Sequence, residues 1–210
     1  MLLPLYFKTA NLNCLIVGGG EIASHKITIL NGLSCSLTVI APRINDAVRY
    51  WVESNRLRWL AREYRPGDCR GFQLVIAATQ DRATNRAVSV EARTLGIPVN
   101  VVDDPELCTV VFPAIWRDES LTVAVSTGGR APFMAAAIRD RLQKSSEPMG
   151  AWVEIAAKFR DAVRREVDDP NERNHFYQRF LEVGPRTQSA DIPDSGLLSD
   201  WLIWLEGLKH

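Results

Sequence analysis

Apolar runs alternate with amphipathic helical patterns through the first half of the chain. Short apolar runs predict strands over residues 13–17, 36–41, 57–60, 73–78 and 98–102. Helical spacing predicts helices over residues 21–31 and 81–95, and a glycine follows each of them. Strands that alternate with helices of this length indicate a parallel sheet with right-handed crossovers, which is a Rossmann-type arrangement.

The pattern changes after Pro105. Residues 109–112 and 121–126 are predicted as two further strands, with a polar turn over residues 116–119 between them. A helix is predicted over residues 132–142, because Pro132 suits a first helical position. We therefore expect a small α+β region after the parallel sheet.

The final third of the chain has a helical pattern throughout. Apolar residues recur at helical spacing from Trp152 to Val167, and Asp169 followed by Pro170 is typical of a helix start. Residues 182–195 are rich in Pro, Gly and Ser, which predicts a loop. The stripe over residues 197–208 is so apolar that it must be buried against its own chain or against a partner.

These elements predict an α/β protein in three parts. A Rossmann-type parallel sheet occupies residues 1–112, a small α+β region residues 113–147, and a helical C-terminal domain residues 148–210. The hydrophobic fraction of 46% is sufficient for a substantial core.

Charge and cysteine usage exclude several classes of protein. The 25 basic and 25 acidic residues give a formal net charge of zero, which argues against a nucleic-acid protein held by a global positive field. The four cysteines and three histidines are scattered without metal-ligand or disulfide-framework spacing, so no metal site is predicted. No apolar run approaches the ~20 residues of a membrane span, and residues 1–8 do not fit a signal peptide. We therefore expect a cytoplasmic protein without a membrane or nucleic-acid partner.

A glycine-rich turn between the first strand and the first helix indicates a dinucleotide site. In the pattern Gly-x-Gly-x-x-Ala, Gly18 permits the tight turn, Gly20 lets the backbone approach a pyrophosphate, and the alanine allows close helix packing. The amides that open the helix, at Glu21 and Ile22, would then face the phosphates. Many glycine-rich turns bind nothing, so the motif alone is weak evidence.

Two other strand ends extend the predicted cofactor site. The second strand ends at Pro42 and Arg43 without the acid that normally holds the ribose of NAD, so these residues either begin a loop or accommodate the adenosine and a 2′-phosphate. Both NAD and NADP are therefore candidate cofactors. Thr79 ends a buried strand and is a candidate for the nicotinamide half, although Thr79 or Asp81 could simply cap the next helix.

An acidic pair and a polar turn are the candidates for chemistry on a substrate. Asp103 and Asp104 follow a strand at the same edge, where a carboxylate could exchange a proton, or they form a solvated turn. Side chains alternate along an extended chain, so at most one of the two should face the site. The turn over residues 126–130 either binds carboxylates of a ligand or is only structural; its candidate ligand-binding residues are Ser126, Thr127, Gly128 and Arg130.

Taken together, these motifs resemble one family. The matching segments are residues 3–7 (Leu-Pro-Leu-Tyr-Phe), 17–26 (Val-Gly-Gly-Gly-Glu-Ile-Ala-Ser-His-Lys), 77–81 (Ala-Ala-Thr-Gln-Asp), 100–103 (Asn-Val-Val-Asp), 112–115 (Phe-Pro-Ala-Ile) and 125–132 (Val-Ser-Thr-Gly-Gly-Arg-Ala-Pro). In this order they resemble the precorrin-2 dehydrogenase / sirohydrochlorin ferrochelatase family, the N-terminal module of siroheme synthases. The resemblance covers residues 3 to about 144 and extends only as a helical tail beyond them.

The resemblance implies a homodimer in which NAD accepts a hydride from precorrin-2 to give sirohydrochlorin. Some members then insert ferrous iron at the same site. Asp103 matches the family's essential aspartate and is implied as the general base, while Ser126 and Thr127 would lie near the tetrapyrrole's carboxylates. Residues 113–147 would contribute to dimerisation, and no methyltransferase domain is expected.

Two other hypotheses belong to different classes. An NAD-sensing module would bind the dinucleotide and signal to a partner docked on the apolar stripe. A tetrapyrrole carrier would bind the macrocycle without catalysis and would tolerate the replacement of Asp103 by Asn.

Overall fold

The computed structural model describes residues 2–145, 149–183, 192–193 and 196–207. The chain divides into two compact units. The first comprises residues 1–112 together with 128–130, and the second comprises residues 113–127 and 131–210.

A five-stranded parallel sheet is the centre of the first unit. Its strands are β1 (Leu12–Val17), β2 (Cys35–Ile40), β3 (Arg58–Leu60), β4 (Leu74–Ala77) and β5 (Val99–Val101). Its helices are α1 (Glu21–Asn31), α2 (Asp46–Glu53) and α3 (Arg82–Thr94), and a 3₁₀ turn follows at Pro105–Leu107. The strand order is β3-β2-β1-β4-β5, so the order reverses beside β1, as in dinucleotide-binding sheets.

The register of the sheet brings the carboxyl ends of its central strands to one edge. Val17 lies opposite Ile40 on one side and opposite Ala77 on the other, and Ala77 lies opposite Val101. The turns that follow these strands therefore start from a common rim. This rim is where open α/β sheets bind their ligands.

Apolar side chains cover both faces of this sheet, as expected for parallel strands. Cys14 and Ile16 of β1 are completely buried in a cluster with Ile27 of α1. The alternate residue Leu15 is equally buried in the other cluster, which includes Val88 of α3. This continuous burial explains why β1 has an uninterrupted apolar sequence.

A β-hairpin and a helix open the second unit. The strands β6 (Ala114–Asp118) and β7 (Leu121–Val125) pair in antiparallel fashion, and α4 (Pro132–Ser145) packs against both. The predicted polar turn over residues 116–119 is wrong, because Trp116 is a buried strand residue and the turn is confined to Glu119 and Ser120. Arg117 is exposed on one face of the hairpin, and the half-buried Asp118 on the other face accepts a hydrogen bond of 2.8 Å from the amide of Gly150.

Aromatic side chains join the three remaining helices, α5 (Met149–Glu166), α6 (Pro170–Val183) and α7 (Leu198–Gly207). Phe159 of α5 stacks on Phe180 of α6 at a centroid distance of 4.9 Å, and Trp201 of α7 lies 5.6 Å from Phe159. Leu198 and Leu205 are buried in the same cluster. The apolar stripe is therefore buried against its own chain at Leu198, Trp201 and Leu205, whereas Leu197 and Ile203 are exposed, and residue 208 lies outside the described residues.

Trp201 offers a direct test of this aromatic core. Trp201→Ala should lower the free energy of unfolding by about 3–5 kcal/mol, because it removes a large buried side chain. Trp201→Phe should cost much less, since the indole Nε1 is buried without a hydrogen-bond partner in the described part of the chain. Urea denaturation measures both, and equal losses would contradict this account of the core.

The predicted fold class is confirmed, and most element predictions agree within a few residues. The predicted strand over residues 109–112 is wrong: the amides of Thr109 and Val110 both donate to the carbonyl oxygen of Val99, which leaves this segment outside the regular ladder. Helix α2 was not predicted. Its start has a recognisable signal, because the side chain of Asn45 accepts a hydrogen bond from the amide of Val48 at 2.9 Å.

The helix start predicted near Asp169 is confirmed, since its carboxylate accepts hydrogen bonds from the amides of Asn171 and Glu172. The predicted loop over residues 182–195 is wrong at its start, because α6 continues to Val183; most of the remainder lies outside the described residues. No helix in the described ranges is long and apolar enough to span a bilayer.

Candidate active site

The glycine-rich turn joins β1 to α1 at the rim of the sheet. Gly18 has φ of +125°, and a Cβ atom there would lie 2.3 Å from the carbonyl oxygen of Ala78, at the end of β4. Both the backbone angle and the close approach therefore require glycine at this position. A Cβ atom on Gly20, in contrast, would have no heavy atom within 4 Å. The backbone at Gly20 consequently faces open space.

The start of α1 has the properties of an anion site. Gly20 is its N-cap residue and provides no side-chain acceptor for the first helical amides, which include those of Glu21 and Ile22. Free amides and the positive end of the helix dipole favour a phosphate in the open space above Gly20. The residues present therefore fit a dinucleotide pyrophosphate.

The turn after β2 lies beside the glycines. Pro42 and Arg43 are exposed, and a Cβ atom on Gly19 would lie 2.3 Å from the carbonyl oxygen of Arg43. The carbonyl oxygen of Ala41 accepts a hydrogen bond of 2.9 Å from Nε1 of Trp59, which fixes the end of β2. The turn thus presents an exposed guanidinium and no carboxylate where a ribose acid commonly lies.

Thr79 is held in place at the end of β4 by a buried asparagine. The Asn85 Oδ1 atom accepts from the Thr79 amide at 3.2 Å and from its Oγ1 at 2.7 Å, and Asn85 Nδ2 donates to the Thr79 carbonyl oxygen at 3.0 Å. The Asp81 side chain caps α3 by accepting hydrogen bonds from the amides of Ala83 and Thr84. The prediction that Asp81 could cap this helix is therefore confirmed. The hydroxyl and amide of Thr79 are therefore tied to α3 and fix the shape of this part of the rim.

Asn85 is a residue of the candidate site that the sequence analysis missed. Asn85→Ala should lower the free energy of unfolding by about 1–3 kcal/mol, because it leaves polar groups of Thr79 without partners. It should also weaken dinucleotide binding by loosening the Thr79 turn. Arg86→Ala, at an exposed position on the same helix, is the matched control and should change neither quantity. A wild-type denaturation midpoint for Asn85→Ala would refute the anchoring role.

The two adjacent acids at the end of β5 differ in their surroundings. Asp103 is exposed and has φ of +59°, whereas the Asp104 side chain is only 15% exposed and forms an ion pair of 3.1 Å with Arg82. Both line a cavity of about 310 Å³ together with Arg82, Asn85 and Val102. The ion pair engages Asp104, whereas the Asp103 carboxylate is exposed at the cavity.

A half-buried lysine on α1, also missed by the sequence analysis, lies over an aromatic ring. The Lys26 ammonium lies 4.4 Å from the centroid of the Phe112 ring. Burial lowers the pKa of Lys26, while the negative charge of Asp103 acts in the opposite direction. The signal in the sequence is spacing, because Lys26 lies three residues after the buried Ala23 and therefore on the inner side of α1.

Cys108 packs against the end of β5. Its Sγ lies 3.1 Å from both the amide nitrogen and the carbonyl oxygen of Val101. Burial raises the pKa of the Cys108 thiol, so the group stays neutral at physiological pH and acts as a small packed side chain. Across the described ranges, no three His, Cys, Asp or Glu side chains are grouped so that they could hold a metal ion.

The polar turn over residues 126–130 begins on the second unit. The Thr127 Oγ1 atom accepts a hydrogen bond of 3.1 Å from the amide of Ala131, which supports the start of α4. Gly128 and Gly129 both have positive φ, at +65° and +78°. Ser126 and Arg130 are exposed. The hydroxyl of Thr127 thus has a structural role at the start of α4.

Family models match almost the whole chain in three consecutive regions. A model described as "Putative NAD(P)-binding" matches residues 5–114, which is more than half of the chain. The chain belongs to this family. The models described as "Sirohaem biosynthesis protein central" and "Sirohaem synthase dimerisation region" match residues 118–145 and 149–191. The resemblance stated from the motifs is confirmed.

Curated relatives and a solved structure agree with the family models. The chain is 41% identical to the siroheme synthase of Methylococcus capsulatus over 189 residues, covering 90% of this chain and 40% of that protein. It is 42% identical to the siroheme synthase of Methylobacillus flagellatus over 181 residues, covering 86% of this chain and 39% of that protein. The chain therefore spans about two fifths of these relatives. The structure titled "SirC, precorrin-2 dehydrogenase" shares the fold with a TM-score of 0.75 at 19% identity, over 98% of this chain and all of that one.

Proposed function

We propose that this protein oxidises precorrin-2 to sirohydrochlorin with NAD. The observation that carries the proposal is the placement of Asp103 at the same rim of the sheet as the Gly18–Gly20 turn, in a chain matched throughout by NAD(P)-binding and sirohaem-synthase models. A carboxylate at that rim is suited to a reaction that removes a hydride and a proton from one substrate.

The dinucleotide is proposed to bind along the rim. Gly20 and the first amides of α1, at Glu21 and Ile22, hold the pyrophosphate, with Gly18 shaping the turn. Pro42 and Arg43 lie against the adenosine half, and Thr79 lies towards the nicotinamide. When bound, NAD supplies the hydride acceptor. NAD rather than NADP is our proposal for the preferred form.

Asp103 is proposed to remove the proton that accompanies hydride loss. Its side chain is exposed at the cavity, so a substrate can reach it, and no ion pair in the described ranges occupies it. The ion pair of Asp104 with Arg82 supports Asp103 over Asp104 in this role. The general base is therefore a single carboxylate.

The substrate is proposed to bind through its acidic side chains at the turn over residues 126–130. The exposed Ser126 hydroxyl and Arg130 guanidinium supply donors and a positive charge, and the Gly128 turn with Thr127 gives them their position. The match to the sirohaem synthase dimerisation model supports a homodimer. Both assignments are part of the proposal.

Ferrous iron is a second proposed substrate. Insertion of a metal into sirohydrochlorin must displace two pyrrole protons, and the exposed carboxylate of Asp103 can accept them one at a time, releasing the first to water before it takes the second. The reaction needs no second base at this rim. An assay with iron therefore tests whether one site performs both steps.

An anaerobic assay with four arms tests the proposed function. The purified protein is mixed with precorrin-2 and either NAD or NADP, each with and without ferrous iron, and the absorption spectrum is followed. We expect sirohydrochlorin to form with NAD, and siroheme to follow when iron is present. Dinucleotide binding without any spectral change would instead favour a sensing module or a carrier.

A further inference from the structure

An exposed arginine borders the cavity that contains the proposed base. Among the described residues that line this cavity, Arg82 is the one that carries a positive charge, and Asp103 and Asp104 are the acids. The Arg82 side chain is 79% exposed, so its guanidinium can be reached from solvent. A ligand that enters the cavity therefore meets a guanidinium as well as the carboxylate of Asp103.

Asp104 holds one end of this guanidinium. Its Oδ2 atom accepts a hydrogen bond of 3.1 Å from Nη2 of Arg82, and its own side chain is only 15% exposed. The backbone of Asp104 is fixed in turn, because its carbonyl oxygen accepts hydrogen bonds from the amide of Leu107 and from Sγ of Cys108. An ion pair with so exposed an arginine adds little to stability. Its main consequence is that the head of Arg82 is kept at the cavity.

The other guanidinium donors of Arg82 are available to a ligand. A guanidinium has five N–H groups, and in the part of the chain that the structure describes the contact with Asp104 is the one hydrogen bond that Arg82 makes. Backbone amides at the same helix start do not provide this site, because the Asp81 side chain already accepts from those of Ala83 and Thr84. The planar fork of an arginine matches a carboxylate, which it binds through two parallel hydrogen bonds.

We propose that Arg82 binds a peripheral carboxylate of the substrate and thereby fixes which edge of the macrocycle meets Asp103, with Asp104 as the residue that positions the guanidinium. The inference rests on the proposed oxidation of precorrin-2, whose acidic side chains supply the carboxylate. The dinucleotide phosphates, the other anions of the reaction, are proposed at the start of α1. Arg82 would thus be a second carboxylate contact besides the turn over residues 126–130.

Steady-state kinetics distinguish binding by Arg82 from catalysis. Arg82→Met should raise the KM for precorrin-2 about tenfold, as expected for the loss of charge-assisted hydrogen bonds, and change kcat by less than about twofold. The KM for NAD should not change. Arg86→Met, at an exposed arginine one turn further along α3 and outside the cavity lining, is the matched control and should leave all three constants unchanged. A raised KM for NAD with an unchanged KM for precorrin-2 would overturn the proposal in favour of a dinucleotide contact.

Two further variants test how the guanidinium is held and used. Arg82→Lys keeps the charge but not the fork, so its KM for precorrin-2 should lie between those of wild-type protein and Arg82→Met. Asp104→Asn keeps the guanidinium but weakens its anchor, and should raise this KM about threefold while most of kcat is retained. A wild-type KM in Arg82→Lys would overturn the forked contact, and a wild-type KM in Asp104→Asn would overturn the anchor.

A binding measurement tests the carboxylate contact without turnover. Uroporphyrin, which carries carboxylates around its whole ring, is titrated into the protein and the quenching of tryptophan fluorescence is followed. Arg82→Met should weaken its binding about tenfold, and Arg86→Met should not. A cationic porphyrin without carboxylates should not bind more weakly to Arg82→Met than to wild-type protein. Equal affinities of wild-type and Arg82→Met protein for uroporphyrin would overturn the proposal, and so would a failure of wild-type protein to bind it.

The proposed function and this inference fail in different experiments. If wild-type protein does not oxidise precorrin-2, the proposed function fails, and uroporphyrin binding still decides whether Arg82 holds a carboxylate. If wild-type protein is active and Arg82→Met has a wild-type KM for precorrin-2, the proposed function stands and this inference fails.

Discussion

Asp103→Asn is expected to reduce kcat for precorrin-2 oxidation by about 10²–10⁴-fold, the range that general base catalysis contributes. Asparagine has the same shape as aspartate but cannot accept the proton. It also suits the backbone, because Asp103 has φ of +59° and Asn tolerates the left-handed region better than most residues. The loss should therefore reflect chemistry and not misfolding. Steady-state kinetics under anaerobic conditions measure it, and a parallel titration should show unchanged NAD affinity.

Asp104→Asn is the matched control for this variant. It makes the same chemical change one residue away, at a carboxylate that already forms an ion pair with Arg82. We expect a much smaller loss of kcat and a modest loss of stability from the broken ion pair. The opposite ranking of the two variants would show that the base has been assigned to the wrong aspartate. Full activity in Asp103→Asn would favour a site that binds the macrocycle without catalysis.

Gly18→Ala is expected to lower the free energy of unfolding by about 2–5 kcal/mol. A backbone angle of +125° is unfavourable for alanine, and the new Cβ would lie 2.3 Å from the carbonyl oxygen of Ala78, so strain and overpacking add together. The atom that it meets belongs to the backbone at the end of β4 and cannot turn aside. Chemical denaturation measures the loss, and dinucleotide binding should decline with it because the turn is displaced.

Gly20→Ala separates binding from stability. Its Cβ would meet no protein atom within 4 Å, so the free energy of unfolding should change by less than about 1 kcal/mol. The methyl group would instead enter the space proposed for the pyrophosphate, and NAD affinity should weaken by about tenfold or more, which is at least 1.4 kcal/mol. Unchanged NAD affinity in a folded Gly20→Ala protein would place the phosphates elsewhere.

The parallel sheet was predictable from sequence because its strands are buried on both faces and because α1 and α3 are each followed by a glycine. The hairpin was harder to predict. Trp116 lies beside Arg117 and Asp118, and their polarity suggested a turn although the register makes them strand residues. The strand prediction at Thr109 was wrong for the opposite reason. This segment has the composition of a strand, but the amides of Thr109 and Val110 donate to the same carbonyl oxygen. Local composition does not encode such long-range pairing.

Part of the candidate site was also predictable. Gly18, Gly20 and Asp103 stand at strand ends, and parallel topology brings strand ends together without further information. The sequence could not show which of the two adjacent acids forms an ion pair, because the partner of Asp104 is Arg82 at the start of α3. Lys26 was overlooked for a related reason. Its ammonium lies over the Phe112 ring, which is far along the chain and outside any local sequence pattern.

The most direct test of the central claim is a single anaerobic time course with precorrin-2 and NAD, in which NADH and sirohydrochlorin are measured in the same sample. The account predicts that wild-type protein forms the two products together in equal amounts, and that Asp103→Asn forms neither while still binding NAD. If sirohydrochlorin does not form, or forms without an equivalent of NADH, the claim that this rim of the sheet oxidises precorrin-2 with NAD is contradicted.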